Sequence, residues 1–275
     1  MIKTSWGGKS LNTDFRPPSA GPYEFNQQQL ENFKKRGKDV AEARKEKTER
    51  TGVYYRLILE HIHKVLAEIR RVYPDYDAKA GYELAGFVWF QGWNDMVDGS
   101  TYPTRGQPGS YDAYSKNLAH FIRDVRRDLK APKLPFVIGV MGAGGPIAKY
   151  GPDQKRYAGI HGEFRKAMAA PTKLPEFKGN VTAVFTENYW DLQLSELVNR
   201  NGKVNAKRRE LSKDQALTRE QRDKAVANYT AKLFTKRELK ILQTGTSNAA
   251  YHYLGSAKIL AQIGKAFANA LAAME

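Results

Sequence analysis

The sequence contains no cysteine among its 275 residues. Disulfide bonds and thiolate chemistry are therefore excluded, and a zinc site could use only histidine and carboxylate ligands. No run of about 20 apolar residues occurs, so we expect no membrane-spanning helix. The first residues, Met1 to Thr4, lack the apolar core of a signal peptide. The sequence alone leaves the cellular compartment unassigned.

Sequence patterns for nucleotide and metal binding are also missing. The glycine-rich segment 142–145 follows an apolar run, but it lacks the Gly-x-Gly-x-x-Gly and P-loop patterns, and Pro146 removes one N–H donor. We therefore predict a loop at the rim of an active site rather than a phosphate site. His61 and His63 are two apart on a predicted helix and face different directions. No cofactor and no metal site is expected.

Acidic residues are scarce relative to basic ones. The chain has 45 Lys and Arg against 29 Asp and Glu, a net charge of +16. Half of this excess lies in residues 200–240, with 13 basic and 5 acidic residues, and segment 31–50 has 8 and 5. The mixed charges favour solvated helices, with a basic rim for an anionic glycan or nucleic acid as the alternative. Without a zinc finger, an RNA-binding aromatic motif or a DNA-reading helix, nucleic acid is not the expected partner.

Strand and helix patterns alternate along the chain. Apolar runs predict strands, and apolar residues at helical spacing predict helices between them. The strands are expected at 2–6, 87–90, 136–140 and 181–185, and the main helices at 53–72, 118–129, 160–168 and 254–271. This alternation predicts an α/β fold, a three-layer α/β/α doubly wound parallel sheet.

The most informative segment is 86–95, Gly-Phe-Val-Trp-Phe-Gln-Gly-Trp-Asn-Asp. Its apolar run is typical of a strand buried on both faces. Gly92 then allows a sharp turn, and Asn94 and Asp95 follow where parallel sheets bind their ligands. Trp93, which would be a core residue by default, could here stack on a sugar ring.

Three motifs, in order along the chain, resemble the SGNH (GDSL-type) hydrolases. Gly92-Trp93-Asn94-Asp95 resembles their third block, and Trp-Phe-Gln-Gly-x-x-Asp is similar to the carbohydrate-esterase branch that includes sialate O-acetylesterases. Segment 5–11, Ser-Trp-Gly-Gly-Lys-Ser-Leu, resembles the second block, and His252-Tyr253-x-Gly255 the histidine block. The resemblance implies a flavodoxin-like strand order and metal-free hydrolysis of an acetyl ester on a carbohydrate by Ser-His catalysis. Acetylxylan esterases share this chemistry.

The resemblance also implies roles for individual residues. His252 would be the general base, which suits an imidazole near neutral pH. Asn94, with Gln91, would supply the side-chain donor of an oxyanion hole. Gly8 or Gly7 would supply its backbone N–H. In the same comparison Gly92, Trp93 and Asp95 would contact the substrate, an acetylated carbohydrate.

The residue that orients His252 is open at this stage. The family block is usually Asp-x-x-His, but Ala249 occupies the position three residues before His252. Asn248 or a main-chain carbonyl could orient the ring and leave a Ser-His dyad. An acid from elsewhere, Glu187 or Asp191, is the other possibility.

The block with the nucleophilic serine, Gly-Asp-Ser or Gly-Gln-Ser-Asn, does not occur in the sequence. We therefore expect a single SGNH-like carbohydrate esterase domain over 1–275 that is N-terminally truncated, lacks its first strand and has little activity alone. Charged helical insertions are expected at about 27–50 and 195–240. The alternative function is a non-catalytic module that binds carbohydrate or polyanions. Relatives in this family are often exported.

Overall fold

The centre of the fold is a three-stranded parallel sheet in a computed structural model that describes residues 1–274. Its strands are β1 (Phe87–Trp89), β2 (Phe136–Val140) and β3 (Val181–Phe185), in the order β1-β2-β3. This consecutive order is that of the last three strands of the flavodoxin-like order 2-1-3-4-5. The predicted α/β fold, a parallel sheet flanked by helices, is confirmed.

Helices precede, connect and follow the strands. Their bounds are α1 (Gln27–Lys35), α2 (Val40–Arg50), α3 (Val53–Ala67), α4 (Trp93–Val97), α5 (Asp112–Asp128), α6 (Pro152–Lys155), α7 (Ala158–Ala169), α8 (Leu192–Ser212), α9 (Arg219–Leu233), α10 (Lys236–Gly245) and α11 (Ala257–Ala272). None of these helices, over residues 1–274, is long and apolar enough to cross a membrane.

Helices cover both faces of the sheet because its strands are apolar on both sides. On one face, Phe87 and Trp89 pack against Phe121 of α5, with ring centroids 6.0 and 4.3 Å apart. On the other face, Gly139 of β2 leaves room for Phe267 of α11, whose ring would lie 2.7 Å from a Cβ at that position. The strand β2 is buried throughout. This gives the three layers that the sequence predicts.

The strand predicted at 2–6 does not form. The described residues show irregular backbone there, and the side chains are exposed or half-buried. Trp6 packs instead against Phe15 and Tyr54, with centroids 6.2 and 5.3 Å apart. An isolated apolar run becomes a strand only when it pairs with the edge of a sheet. Here aromatic packing holds the segment in place without hydrogen bonds to a neighbouring strand.

The chain divides into two compact units. The first contains Met1–Met141, Tyr150–Phe185 and Ala266–Glu275, and the second contains Gly142–Lys149 and Thr186–Lys265. In the second unit α8 packs against α9 and α10 around an apolar cluster of Leu197, Val204, Val226, Phe234 and Leu242. Both charged segments are helical. Their status as insertions in one SGNH-like domain stays a prediction.

Candidate active site

The turn after β1 places two polar side chains in the first turn of a short helix. Gly92 precedes α4, and its carbonyl accepts from the Met96 N–H at 2.9 Å. A Cβ on Gly92 would lie 2.8 Å from the Phe164 ring, so close packing explains the glycine. Asn94 and Asp95 follow directly, and their environments differ.

Asp95 is completely buried and organises the neighbouring loop. Its carboxylate accepts from the backbone N–H groups of Leu11 (2.7 Å) and Asn12 (3.0 Å), from Gln91 Nε2 (2.8 Å) and from the Tyr102 hydroxyl (3.3 Å). Burial raises the pKa of Asp95 to about 6 and outweighs these hydrogen bonds, which act to lower it. A carboxylate enclosed in this way acts on a substrate only through the residues that it positions.

Gln91 has a positioning role in the same network. Its Nε2 donates to the Lys9 carbonyl at 3.0 Å as well as to Asp95, so both amide hydrogens are used. Its Oε1 and its backbone carbonyl accept from the Tyr114 hydroxyl at 3.3 and 3.1 Å. No amide hydrogen is left for an oxyanion, and Gln91 ties β1 to the loop that follows Gly8.

Unlike Gln91, Asn94 has a side-chain amide that is available to bind a ligand. Its side chain is half-buried, and its amide has no hydrogen-bond partner within residues 1–274. A half-buried amide without an internal partner is suited to bind a ligand, because a polar group shielded from water gains from a new hydrogen bond. Trp93 beside it is also half-buried.

Gly7 and Gly8 lie in an exposed turn. Gly8 has φ +73°, a left-handed conformation that favours glycine, and no atom lies within 4 Å of a Cβ at either residue. The loop beyond them is fixed, because Asp14 accepts from the Ser10 N–H at 2.9 Å and Asp95 holds its next two residues. An open backbone next to an anchored loop can present its N–H groups to a ligand.

His252, which belongs to the second unit, is oriented by Asn248. The ring Nδ1 lies 3.0 Å from Asn248 Oδ1, and the same oxygen accepts from the Ala249 N–H at 2.8 Å. Because the Ala249 N–H fixes this atom as an acceptor, Nδ1 must carry the ring proton. The exposed imidazole then keeps the lone pair of Nε2 for a substrate proton.

The carboxylate of Asp191, the alternative group for orienting His252, has other partners. Its carboxylate accepts from the Leu194 N–H at 2.9 Å, which caps α8, and from Lys258 Nζ at 2.7 Å. Partial burial acts to raise the pKa of Asp191, but the Lys258 ammonium and the cap hold it below its ordinary value. Glu187 lies in the 3-10 helix Thr186–Tyr189. Of the open alternatives for the orienting group, the geometry favours Asn248.

The backbone after His252 is strained. Tyr253 and Leu254 have φ of 53° and 60°, followed by Gly255 at 58°. A left-handed conformation costs a residue with a side chain about 1–2 kcal/mol. Such strain persists only where the surroundings enforce it, and it is frequent at functional sites.

The contacts of Tyr253 hold much of this strained backbone in place. Its buried hydroxyl accepts from the Gly142 N–H at 2.8 Å and is hydrogen-bonded to Thr186 Oγ1 at 2.7 Å. A Cβ on Gly142 would overlap the backbone nitrogen of Glu187, so only glycine fits. The glycine-rich segment predicted as a rim loop therefore supports the histidine loop at its first residue. The sequence motif indicates His252 but assigns no role to Tyr253, although the two residues are adjacent in it.

No group of three His, Asp or Glu residues in the described part of the chain could hold a metal ion. Among curated proteins and among solved structures, no significant match was found. A family model described as carbohydrate esterase, sialic acid-specific acetylesterase, matches residues 49–163. That range includes the turn with Asn94 and lies outside the Gly7-Gly8 and His252 blocks. The predicted resemblance is thus confirmed for this segment, which is similar to the sialic acid-specific acetylesterases among the carbohydrate esterases.

Proposed function

We propose that the protein is a carbohydrate O-acetylesterase-like hydrolase, of the kind that removes acetyl groups from sialic acid or from an acetylated polysaccharide, and that this chain alone lacks the nucleophile for that reaction. The observation that carries this proposal is the family match across the turn after β1, where Asn94 has an amide without an internal partner. The family is one of carboxylic ester hydrolases, and its substrates are carbohydrates.

The proposed reaction is acyl transfer to a serine followed by hydrolysis. His252 Nε2 takes the serine proton as the hydroxyl oxygen attacks the acetyl carbonyl. The Asn94 amide and the Gly8 N–H stabilise the oxyanion, each contributing about 3 kcal/mol to the transition state. The imidazolium returns the proton to the leaving sugar oxygen, and water then releases acetate by the same steps.

Asn248 would keep one of the two tasks of a triad acid. A carboxylate in this place both orients the imidazole and stabilises its positive charge. A neutral amide oxygen fixes the Nδ1–H tautomer but carries no full charge, so the imidazolium is less stabilised. The Asn248→Asp variant should therefore stabilise the imidazolium, and the Asn248→Ala variant should leave the ring without a fixed tautomer.

Nitrogen-15 NMR of the His252 ring tests the assigned tautomer. The expected result is a single Nδ1–H tautomer in the native protein and a mixture in the Asn248→Ala variant. Tautomer signals unchanged in that variant would contradict the assignment. His63, an exposed histidine without a side-chain hydrogen bond in the described residues, is the internal reference.

The nucleophile is the part that the motifs do not supply. No Gly-Asp-Ser or Gly-Gln-Ser turn occurs in the sequence, so we propose that this chain alone has little or no esterase activity. Nitrophenyl acetate is a suitable substrate, with His252→Ala as the control. Appreciable turnover that disappears in that variant would contradict the proposed inactivity and would support His252 as the base.

Binding separates the proposed function from its alternative, a non-catalytic carbohydrate-binding module. Saturation-transfer NMR should detect an O-acetylated sialic acid more strongly than the same sugar without the acetyl group. The Asn94→Ala variant should remove that difference, because the amide is proposed to contact the acetyl carbonyl. If the two sugars bind equally to the native protein, recognition of the acetyl group is ruled out and the alternative is favoured.

A further inference from the structure

The outward side of α10 carries positive charge without any acidic residue. Lys236, Arg237 and Lys240 are exposed, and none of them forms an ion pair within residues 1–274. Lys236 and Lys240 are one helical turn apart and lie on the same side of the helix. We call these three residues the α10 basic face.

The acid between these residues does not neutralise this face because it is used internally. Glu238, between Arg237 and Lys240, accepts from the Thr235 N–H and hydroxyl and binds Arg200 Nη2 at 2.6 Å. The cap on Thr235, together with the Arg200 guanidinium, lowers the pKa of Glu238 to about 2. Its negative charge is therefore balanced by the N-terminus of α10 and by Arg200 of α8.

The neighbouring helices α8 and α9 also contain more cations than acids, although Glu220 of α9 has no ion pair in the described residues. In α8 Glu210 pairs with Lys207, and in α9 Asp223 pairs with Arg219. Exposed cations outside these pairs remain on both helices, among them Arg209 of α8 and Lys224 of α9. With 13 basic and 5 acidic residues in 200–240, the excess is concentrated on a helical element that has its own apolar core.

We propose that the α10 basic face, with the exposed cations of α8 and α9, binds an anionic polysaccharide. Clustered like charges repel one another, and a polyanion relieves that repulsion and releases counterions. The aromatic side chains of this element, Tyr229 and Phe234, are half-buried and buried in its core, so no exposed ring offers a platform for nucleic-acid bases. The choice of a polysaccharide over a nucleic acid rests also on the proposed function, whose substrates are carbohydrates.

Polygalacturonate, a carboxylated polysaccharide, is the probe for the test. The full chain is compared with the Lys236→Gln/Arg237→Gln/Lys240→Gln variant. The matched control is Lys64→Gln/Lys79→Gln/Lys133→Gln, which removes three exposed cations without ion pairs from the first unit. The α10 variant should bind about tenfold more weakly, with a salt slope reduced by about 2–3, while the control should stay within about twofold of the native chain.

Three results would overturn the proposal. Equal weakening of polygalacturonate binding in both variants would show a general charge effect. If the native chain does not bind polygalacturonate at low salt, the proposed site does not exist. Duplex DNA that displaces polygalacturonate at equal charge concentration would identify a nucleic-acid surface instead. The Lys236→Arg/Lys240→Arg variant should keep its affinity, which distinguishes lost charge from a damaged helix. The binding assay requires no turnover, so failure of the esterase proposal and failure of this one are separate observations.

Discussion

The Asp95→Asn variant tests whether one buried carboxylate fixes the loop after Gly8 to the end of β1. The native pKa of Asp95 is about 6, compared with an ordinary value of 3.8. The difference of about 2 pKa units corresponds to about 3 kcal/mol of stability that depends on pH. The native state binds this proton more readily than the unfolded chain. The contribution is therefore full below about pH 4 and is lost as pH rises through about 6.

Asparagine removes the charge and leaves one hydrogen bond unsatisfied. Each carboxylate oxygen accepts two donors: Oδ2 from Leu11 and Gln91, and Oδ1 from Asn12 and Tyr102. An amide nitrogen in either place faces a backbone N–H, and that unpaired donor costs about 1–3 kcal/mol. A protonated carboxyl group keeps the four contacts, because its hydroxyl can donate to the Tyr102 oxygen.

The expected result is a stability difference that changes with pH. Near pH 4 the variant should be about 1–3 kcal/mol less stable than the native protein. By pH 7 to 8 this gap should shrink by about 3 kcal/mol, because only the native protein then has to bury a charge. Urea unfolding at several pH values measures both proteins, with Asp75→Asn, an exposed carboxyl, as the control. A gap that is constant, or that widens as pH rises, would refute the reasoning.

Two further variants test the support of the histidine loop. The Tyr253→Phe variant loses two hydrogen bonds of a buried hydroxyl and should lower the free energy of unfolding by about 1–3 kcal/mol, whereas Tyr82→Phe at an exposed ring should have little effect. The Gly142→Ala variant places a methyl group against the backbone of Glu187 and should cost at least about 1–3 kcal/mol in chemical denaturation. Gly151→Ala, where no atom is within 4 Å, is its control, and equal losses at the two glycines would contradict the packing argument.

The sequence correctly predicts the strands whose formation depends on the burial of apolar side chains. The runs 136–140 and 181–185 become strands with the predicted bounds, and 87–90 becomes Phe87–Trp89. Continuous apolar runs of this length have few other low-energy states in a chain that alternates with helices. The prediction for 2–6 is wrong for the complementary reason, because a strand also needs a partner edge and no periodicity in those residues specifies one.

The direction of a side chain at the sheet edge is harder to predict. The pattern after β1 predicts a turn that presents both Asn94 and Asp95 to a ligand, whereas the structure has both residues in helix α4. The structure buries Asp95 in four hydrogen bonds and leaves the amide of Asn94 without a partner. The distinction depends on Leu11 and Asn12, more than 80 residues earlier in the chain. The residues next to Asp95 in the sequence carry no information about a contact with residues so far away in the chain.

The histidine loop combines both limits, and this explains why the sequence does not specify the group that orients His252. Asn248 reaches His252 four residues later, although the intervening backbone is not a regular helix. The left-handed conformations of Tyr253 and Leu254 are disfavoured by their own side chains, so propensity argues against the observed turn. Those conformations hold because the Tyr253 hydroxyl is anchored and because the Leu254 carbonyl accepts from the Ser247 and Asn248 N–H groups at 2.9 and 3.1 Å. The second of these bonds fixes the backbone of the residue whose side chain orients His252. The strain and the ring orientation therefore depend on the same few contacts, and loss of the Tyr253 hydroxyl should disturb the histidine tautomer as well as stability.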